Sequence, residues 1–115
     1  MTKEKVFANI SPEKLATFRS AREIFHAELA KSAKNRAIYL KVALEDYENE
    51  KNLPAFLLAL RTIAITSGGI QELANKTNLN RQTLYKALSP KGNPSFALVD
   101  LIVNVLGMKL VVKAG

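Results

Sequence analysis

Hydrophobic residues recur at helical spacing along most of the chain, and caps, glycines and prolines divide them into segments. Ser11-Pro12-Glu13 predicts a helix start, because serine caps, proline fits the first helical position and glutamate complements the N-terminal dipole. The stretch that follows, to about Lys34, contains no glycine or proline. One apolar stripe of helical spacing runs along it, made of Leu15, Phe18, Phe25 and Leu29. Arg22 interrupts this stripe, so it is not a clean coiled-coil seam.

A second helical segment is predicted over about residues 35–47, with Ala37, Leu40 and Leu44 on its buried side and Tyr47 as a further candidate. The pattern leaves open whether this segment and the first one form one long helix or two. The apolar stripe of the first segment also has more than one interpretation. Packing within the chain is the simplest, and a dimer seam or the docking of a partner protein are the others.

Four shorter helices are predicted in the second half of the chain. Asn52-Leu53-Pro54 starts a helix over residues 55 to about 66, and Ser67-Gly68-Gly69 ends it, because glycine supplies a left-handed cap. A short helix follows over residues 70–77, and Asn80 caps the next, residues 81 to about 88. After the turn-rich residues 89–94, Ser95 caps a last helix over residues 96–106, which Gly107 ends.

The C-terminal segment has a different pattern. Val111 and Val112 favour extended backbone, so residues 109–112 are predicted to form a short β tail. The fold class predicted from these elements is all-α, with an N-terminal helical arm and a short C-terminal β tail.

Residues 70–88 have the pattern of a helix-turn-helix. Ala74 is small, as the close crossing of two helices requires. Asn78 stands where this motif commonly has glycine, at a position that needs a positive φ, and asparagine is the best non-glycine substitute. Leu79 then enters the core, and Leu84 and Leu88 give the second helix its buried face.

The outward face of that second helix carries groups that suit a DNA groove. Arginine can bond guanine with two hydrogen bonds, glutamine can bond adenine, and lysine can pair with guanine or phosphate. Asparagine, threonine and tyrosine at this end can contact phosphate. The predicted DNA-binding residues are Lys76, Asn80, Arg81, Gln82, Thr83, Tyr85, Lys86 and Lys91. A helical hairpin with a solvated charged face is the plainer reading of the same residues.

Charge divides the chain into two parts. The net charge of +7 on 115 residues indicates an anionic partner without choosing among nucleic acid, membrane surface and acidic protein. Residues 1–50 contribute +1 and residues 51–115 contribute +6. We therefore predict an arm over residues 1–50 for dimerisation or the docking of a partner protein, and a DNA-binding domain over residues 51–115.

Composition argues against several other classes. The absence of cysteine excludes a disulfide framework, a redox motif and a thiolate metal site. His26 is the single histidine, so no catalytic triad can be assembled, and we expect no enzyme activity, metal or cofactor. The acidic group Glu45, Asp46, Glu48 and Glu50 is most simply a solvated face, with docking of a basic partner protein as a smaller possibility. No apolar run reaches membrane length and no signal peptide is evident, so a cytoplasmic protein is expected.

The sequence resembles the addiction-module antidote proteins, the small antitoxins encoded beside RelE/ParE-type toxins in bacteria and their prophages. The resemblance covers about residues 35–114 and is carried by residues 71–74, 83–90, 92–96 and 106–110, with residues 84–96 the most specific. It implies a lambda-repressor-like domain, usually dimeric, that represses its own operon and neutralises a toxin. It further implies that Arg81, Gln82, Tyr85 and Lys86 read the operator. The role of residues 1–30 cannot be carried over, because this arm is longer than the family pattern requires.

Three functions therefore remain open from the sequence. The first is a dimeric antitoxin that binds double-stranded operator DNA and a small basic toxin. The second is a stand-alone prophage-type transcriptional regulator without a toxin. The third is a protein-interaction module whose basic face binds an acidic partner, and it would show no salt-dependent binding of DNA.

Overall fold

A computed structural model describes residues 20–115, which form six helices and no strand. The all-α prediction is confirmed for this range. The helix start at Ser11-Pro12-Glu13 and the stripe residues Leu15 and Phe18 lie outside it. The helices are α1 Ala21–Lys31, α2 Ala33–Glu50, α3 Leu53–Thr66, α4 Ile70–Thr77, α5 Arg81–Ala87 and α6 Phe96–Val105.

The first two helices are separate, because Ser32 breaks the helical path between them. Its backbone is extended, with φ −135° and ψ 113°, and its hydroxyl accepts the N–H of Asn35 at 3.1 Å. The carbonyls of Leu29 and Ala30, near the end of α1, accept hydrogen bonds from the guanidinium of Arg36 on α2, at 2.7 Å and 3.2 Å. Backbone groups on both sides of the break thus have hydrogen-bond partners. The first helix ends at Lys31 rather than near Lys34.

The caps predicted for the later helices are present. The Asn52 side chain accepts the N–H of Ala55 at 3.2 Å, and the Ser95 hydroxyl accepts the N–H of Leu98 at 3.1 Å. After α3 the chain turns through Gly68 and Gly69, which have φ values of 117° and 92°. These values are costly for a residue with a side chain, so this turn depends on glycine.

The main core is built around α3. Leu57, Leu60 and Ile63 are fully buried there. The other helices contribute the remaining members of the cluster, chiefly Leu40 from α2, Leu73 from α4, Leu84 from α5, and Ile102 and Val103 from α6. Because Leu40 belongs to this cluster, α2 packs directly on the helix that follows it. The domain boundary at residue 50 stays a prediction.

A smaller cluster fixes α1 to α2. Phe25 and Leu29 are buried, and the Phe25 ring meets the ring of Tyr39 edge-on at a centroid distance of 5.0 Å. Burial raises the pKa of the Tyr39 phenol. The described half of the predicted stripe therefore packs within the chain.

Two sequence predictions need correction. Ala37 is exposed rather than buried, because it lies where α2 faces an open groove beside residues 107–115. Residues 109–112 form no β tail, since a strand needs a neighbouring strand to bond with and residues 20–115 offer none. Gly107 ends the last helix as predicted, with a φ of 88°.

Within residues 20–115, no single helix is long and apolar enough to cross a membrane. α3 and α4 reach that length and composition only together, and they are bent by 93° relative to each other.

Candidate nucleic-acid interface

The connection between α4 and α5 is three residues long and depends on a left-handed residue. Asn78 has φ 62° and ψ 24°, which confirms the positive φ predicted for it. Just before it, the Thr77 hydroxyl donates to the carbonyl of Leu73 at 2.8 Å. Leu79 is half-buried against the main core. The turn is thus fixed by a backbone conformation, a hydroxyl and an apolar anchor.

Asn80 sets the start of α5. Its side-chain oxygen accepts the N–H of Thr83 at 2.7 Å, so the predicted cap is formed. Leu84 and Leu88 are buried in the main core and Ala87 is half-buried. With these residues facing inward, the opposite side of α5 is presented to solvent.

All eight residues predicted to bind DNA are exposed. Four of them lie on the outward side of α5, namely Arg81, Gln82, Tyr85 and Lys86. Residues 70–92 carry four basic side chains against one acidic one, Glu72. The surface of this helix pair is therefore positive and rich in hydrogen-bond donors.

A row of polar side chains ties the start of α5 to the exposed side of α4. The Arg81 guanidinium donates to the side-chain oxygen of Gln71 at 3.4 Å, and the Gln71 amide donates to Asn75 at 3.1 Å. Gln71 and Asn75 were absent from the predicted site. Their position beside Arg81 follows from the packing of α4 on α5, and the sequence pattern alone does not show that packing.

Arg61 also joins this surface from α3. Its guanidinium lies 5.6 Å from the centroid of the Tyr85 ring, within the range of a cation–π contact. Tyr85 is 42% exposed, so one part of the ring meets Arg61 while another part stays open to solvent. Arg61 was not among the predicted residues, because it lies 24 residues before Tyr85 on another helix.

The two lysines at the edges of the surface differ in their surroundings. Lys76 forms an ion pair with Glu72 at 3.0 Å, in which both side chains are about half exposed, at 52% and 48%. Solvent screens such a pair, so a stronger anion can compete for Lys76. Lys91 is exposed in the loop after α5. Gly92 follows it and lies so close to the Ala87 carbonyl that an added Cβ would stand 2.2 Å from the oxygen.

Residues 20–115 contain no group of three or more histidines, aspartates or glutamates arranged to hold a metal ion. The features that converge are a capped short helix, a fixed turn and a positive, donor-rich face. Such a face is complementary in charge to an anionic surface.

Comparison with known proteins gives the family. A family of probable addiction module antidote proteins matches residues 21–114, nearly the whole described range. An uncharacterized protein of Haemophilus influenzae is 33% identical over 74 residues, which cover 64% of this chain and 75% of that protein. No solved structure matches.

The chain therefore belongs to the family of probable addiction module antidote proteins. An addiction module pairs an antidote with a toxin, so family membership places the chain in the antitoxin class and implies a toxin as its partner. Members of this class are in general not enzymes.

Proposed function

We propose that this protein is a DNA-binding antitoxin. In this proposal it represses its own operon by binding the operator as a dimer, and it neutralises a RelE/ParE-type toxin. The observation that carries the DNA-binding part is the exposed face of α5, where Arg81, Gln82, Tyr85 and Lys86 stand outward on a helix whose start and turn are fixed by Asn80 and Asn78.

The roles proposed for these residues follow their chemistry. Arg81 and Gln82 contact base edges in the major groove, since a guanidinium and an amide can each form paired hydrogen bonds with a base. Lys76, Lys86 and Lys91 neutralise phosphates and supply salt-dependent affinity. Asn80, Thr83 and Tyr85 add contacts to the sugar–phosphate backbone that fix the orientation of the helix.

The proposed architecture is a lambda-repressor-like helix-turn-helix domain over residues 51–115 with an arm over residues 1–50. Two copies would place two α5 helices in successive major grooves, with half-sites about 34 Å apart or a multiple of that distance. Such a repressor works where the DNA is, so the proposed location is the cytoplasm.

DNA binding is tested with duplexes from the promoter upstream of the gene. We expect a footprint of two half-sites and an affinity that falls steeply as salt rises, because phosphate contacts release counterions. Changing both Arg81→Ala and Gln82→Ala should reduce the preference for the operator over random DNA by about 1–3 kcal/mol per lost paired contact. A salt dependence near zero would overturn the proposal and favour an acidic protein partner.

Toxin neutralisation is tested with the protein encoded by the neighbouring reading frame. We expect that protein to arrest growth when it is expressed alone, and co-expression of this chain to restore growth. The two proteins should also co-purify. If the operator is bound but the neighbouring product neither binds nor arrests growth, the protein is a stand-alone transcriptional regulator instead.

A further inference from the structure

An open groove of about 610 Å³ runs between the second half of α2 and the first half of α3. The proposed DNA-binding face does not use it. Its lining combines aromatic rings, small residues and acidic side chains, and contains no lysine or arginine. The aromatic rings are those of Tyr47 and Phe56, and the acidic side chains are Glu45, Asp46 and Glu50.

The floor of the groove is apolar and deep enough to receive a side chain. The rings of Tyr47, on α2, and Phe56, on α3, pack on each other at a centroid distance of 6.1 Å and an angle of 53°. The lining also includes the small residues Ala43, Ala55 and Ala59. An alanine leaves volume that a larger residue would fill, so the crossing of the two helices stays open to solvent.

The charged residues of the lining are all acidic, although the chain as a whole carries +7. Glu45, Asp46 and Glu50 are exposed. The ion pairs found between described residues join Lys31 to Glu28 and Lys76 to Glu72, so neither involves these three carboxylates. The groove is therefore complementary to a positively charged group.

The local sequence at this end of α2 works against helix stability. Carboxylates near a helix C-terminus face the negative end of its dipole, and the last turn contains no basic residue. The cap that follows is Lys51 with φ 55°, in a conformation that glycine adopts more easily. Several unfavourable local features at one place, here the charge at a helix end and the residue type at a positive φ, are typical of a functional site.

A cation already contacts one edge of this surface. The Lys51 ammonium lies 5.4 Å from the centroid of the Tyr47 ring, although Lys51 is not part of the groove lining. The contact shows that the aromatic wall accepts a positive charge from the same chain. A lysine or arginine from another protein would find the same ring beside three carboxylates.

We propose that this groove is the docking surface for the toxin partner. It receives a basic segment that packs an aliphatic or aromatic side chain against Tyr47, Ala43 and Ala55 and places its positive charges against Asp46 and Glu50. This proposal rests on the proposed antitoxin function. It assigns toxin binding to the acidic crossing of α2 and α3 and leaves α5 free for DNA.

The two surfaces use different sides of α3. Successive helical residues are rotated by about 100°. Ala55, Phe56 and Ala59 line the groove, whereas Arg61, which contacts Tyr85, lies on the other side of the helix together with Leu58 and Ile65. A change in the groove should therefore leave DNA binding intact.

The first test compares two double variants of the full chain with the same change in net charge. Asp46→Asn with Glu50→Gln neutralises the groove, and Glu48→Gln with Asp100→Asn is the control, since neither of those residues lines it. The tagged protein from the neighbouring reading frame is the probe. We expect the groove variant to weaken toxin binding about tenfold relative to the control at low ionic strength. Both variants should bind operator DNA alike.

The groove variant is expected to fold, because it removes charges that oppose the dipole of α2, and urea unfolding checks this. Equal toxin affinity of the two variants would overturn the docking surface while leaving the antitoxin function standing. Failure of the unchanged chain to bind the probe would overturn both.

The second test uses the absence of cysteine from the chain. Ala55→Cys places one thiol in the groove, and Asn93→Cys is an exposed control outside it. We expect the thiol at position 55 to react quickly with an uncharged maleimide in the free chain and to be protected when the toxin is added. Protection that rises with the concentration of the chain alone would identify a second copy as the occupant. Protection at every concentration would identify another segment of the same chain, and either result would overturn the proposal.

Discussion

The guanidinium of Arg61 lies 5.6 Å from the ring centroid of Tyr85 and links α3 to the exposed side of α5. The contact holds one edge of the proposed DNA-binding face against the central helix of the core. It also brings a further positive charge to that face. Arg61 is therefore a positioning residue for Tyr85 as well as a candidate for phosphate contact.

The first prediction concerns this pair. Arg61→Ala should weaken operator binding, whereas Arg22→Ala, which removes the same charge from the exposed side of α1, should leave it nearly unchanged. A double-mutant cycle with Arg61→Ala and Tyr85→Leu, read by urea unfolding, should give a coupling of about 0.5–1 kcal/mol. Strictly additive effects would show that the two side chains do not interact.

The second prediction concerns the turn between α4 and α5. Asn78 has φ 62°, where a side chain with a Cβ is strained. Asn78→Ala should lower the free energy of unfolding by about 1–2 kcal/mol, and Asn78→Gly should leave it unchanged or raise it. Chemical denaturation of the three proteins is the measurement. Equal stability of the alanine and glycine variants would contradict the role of the left-handed turn.

Local signals allowed much of the fold to be predicted. Asn78 and Asn80 act on residues within three or four positions, so their conformation and hydrogen bonds follow from residue type and spacing. The same holds for Ser95 and for the helix stop at Gly107. The buried face of α5, with Leu84 and Leu88, followed from helical periodicity.

Contacts between distant residues were not predicted, because periodicity gives the buried side of a helix but not its neighbour. The Arg61–Tyr85 contact and the Arg81–Gln71 bond depend on how three helices pack. Ala37 was expected to be buried because it shares a helical face with Leu40, yet the chain leaves that end of the face open. Residue type also could not show whether Val111 and Val112 form a strand, because a strand needs a partner strand to bond with.

The third prediction separates two roles of Asn80. Asn80→Ala should lower the free energy of unfolding by about 1 kcal/mol, because the N–H of Thr83 loses its acceptor. Asn80→Asp keeps an acceptor at this position, so stability should be retained. Its new negative charge should nevertheless weaken operator binding if the start of α5 faces phosphates. Stability is read by denaturation and DNA affinity by titration of the operator duplex.

A matched control for this prediction is Ser95→Asp, which adds a carboxylate at the corresponding cap of α6. It should leave the affinity for the operator close to that of the unchanged chain. If both aspartate variants lose the same affinity, the effect of Asn80→Asp reflects net charge and not a phosphate contact near α5.

The fourth prediction concerns the loop that follows α5. A Cβ on Gly92 would stand 2.2 Å from the Ala87 carbonyl oxygen and 2.9 Å from that of Lys86, and both are backbone atoms that cannot rotate away. Gly92→Ala should therefore lower the free energy of unfolding by about 1–3 kcal/mol, the usual range for an added methyl group without space. Asn93→Ala, at the exposed neighbouring position, should change it by less than about 0.5 kcal/mol. The backbone that the new methyl group would displace forms the end of α5, next to Lys86. Gly92→Ala should therefore also weaken operator binding at temperatures where the variant remains folded. A Gly92→Ala variant as stable as the unchanged chain would show that the loop relaxes without cost.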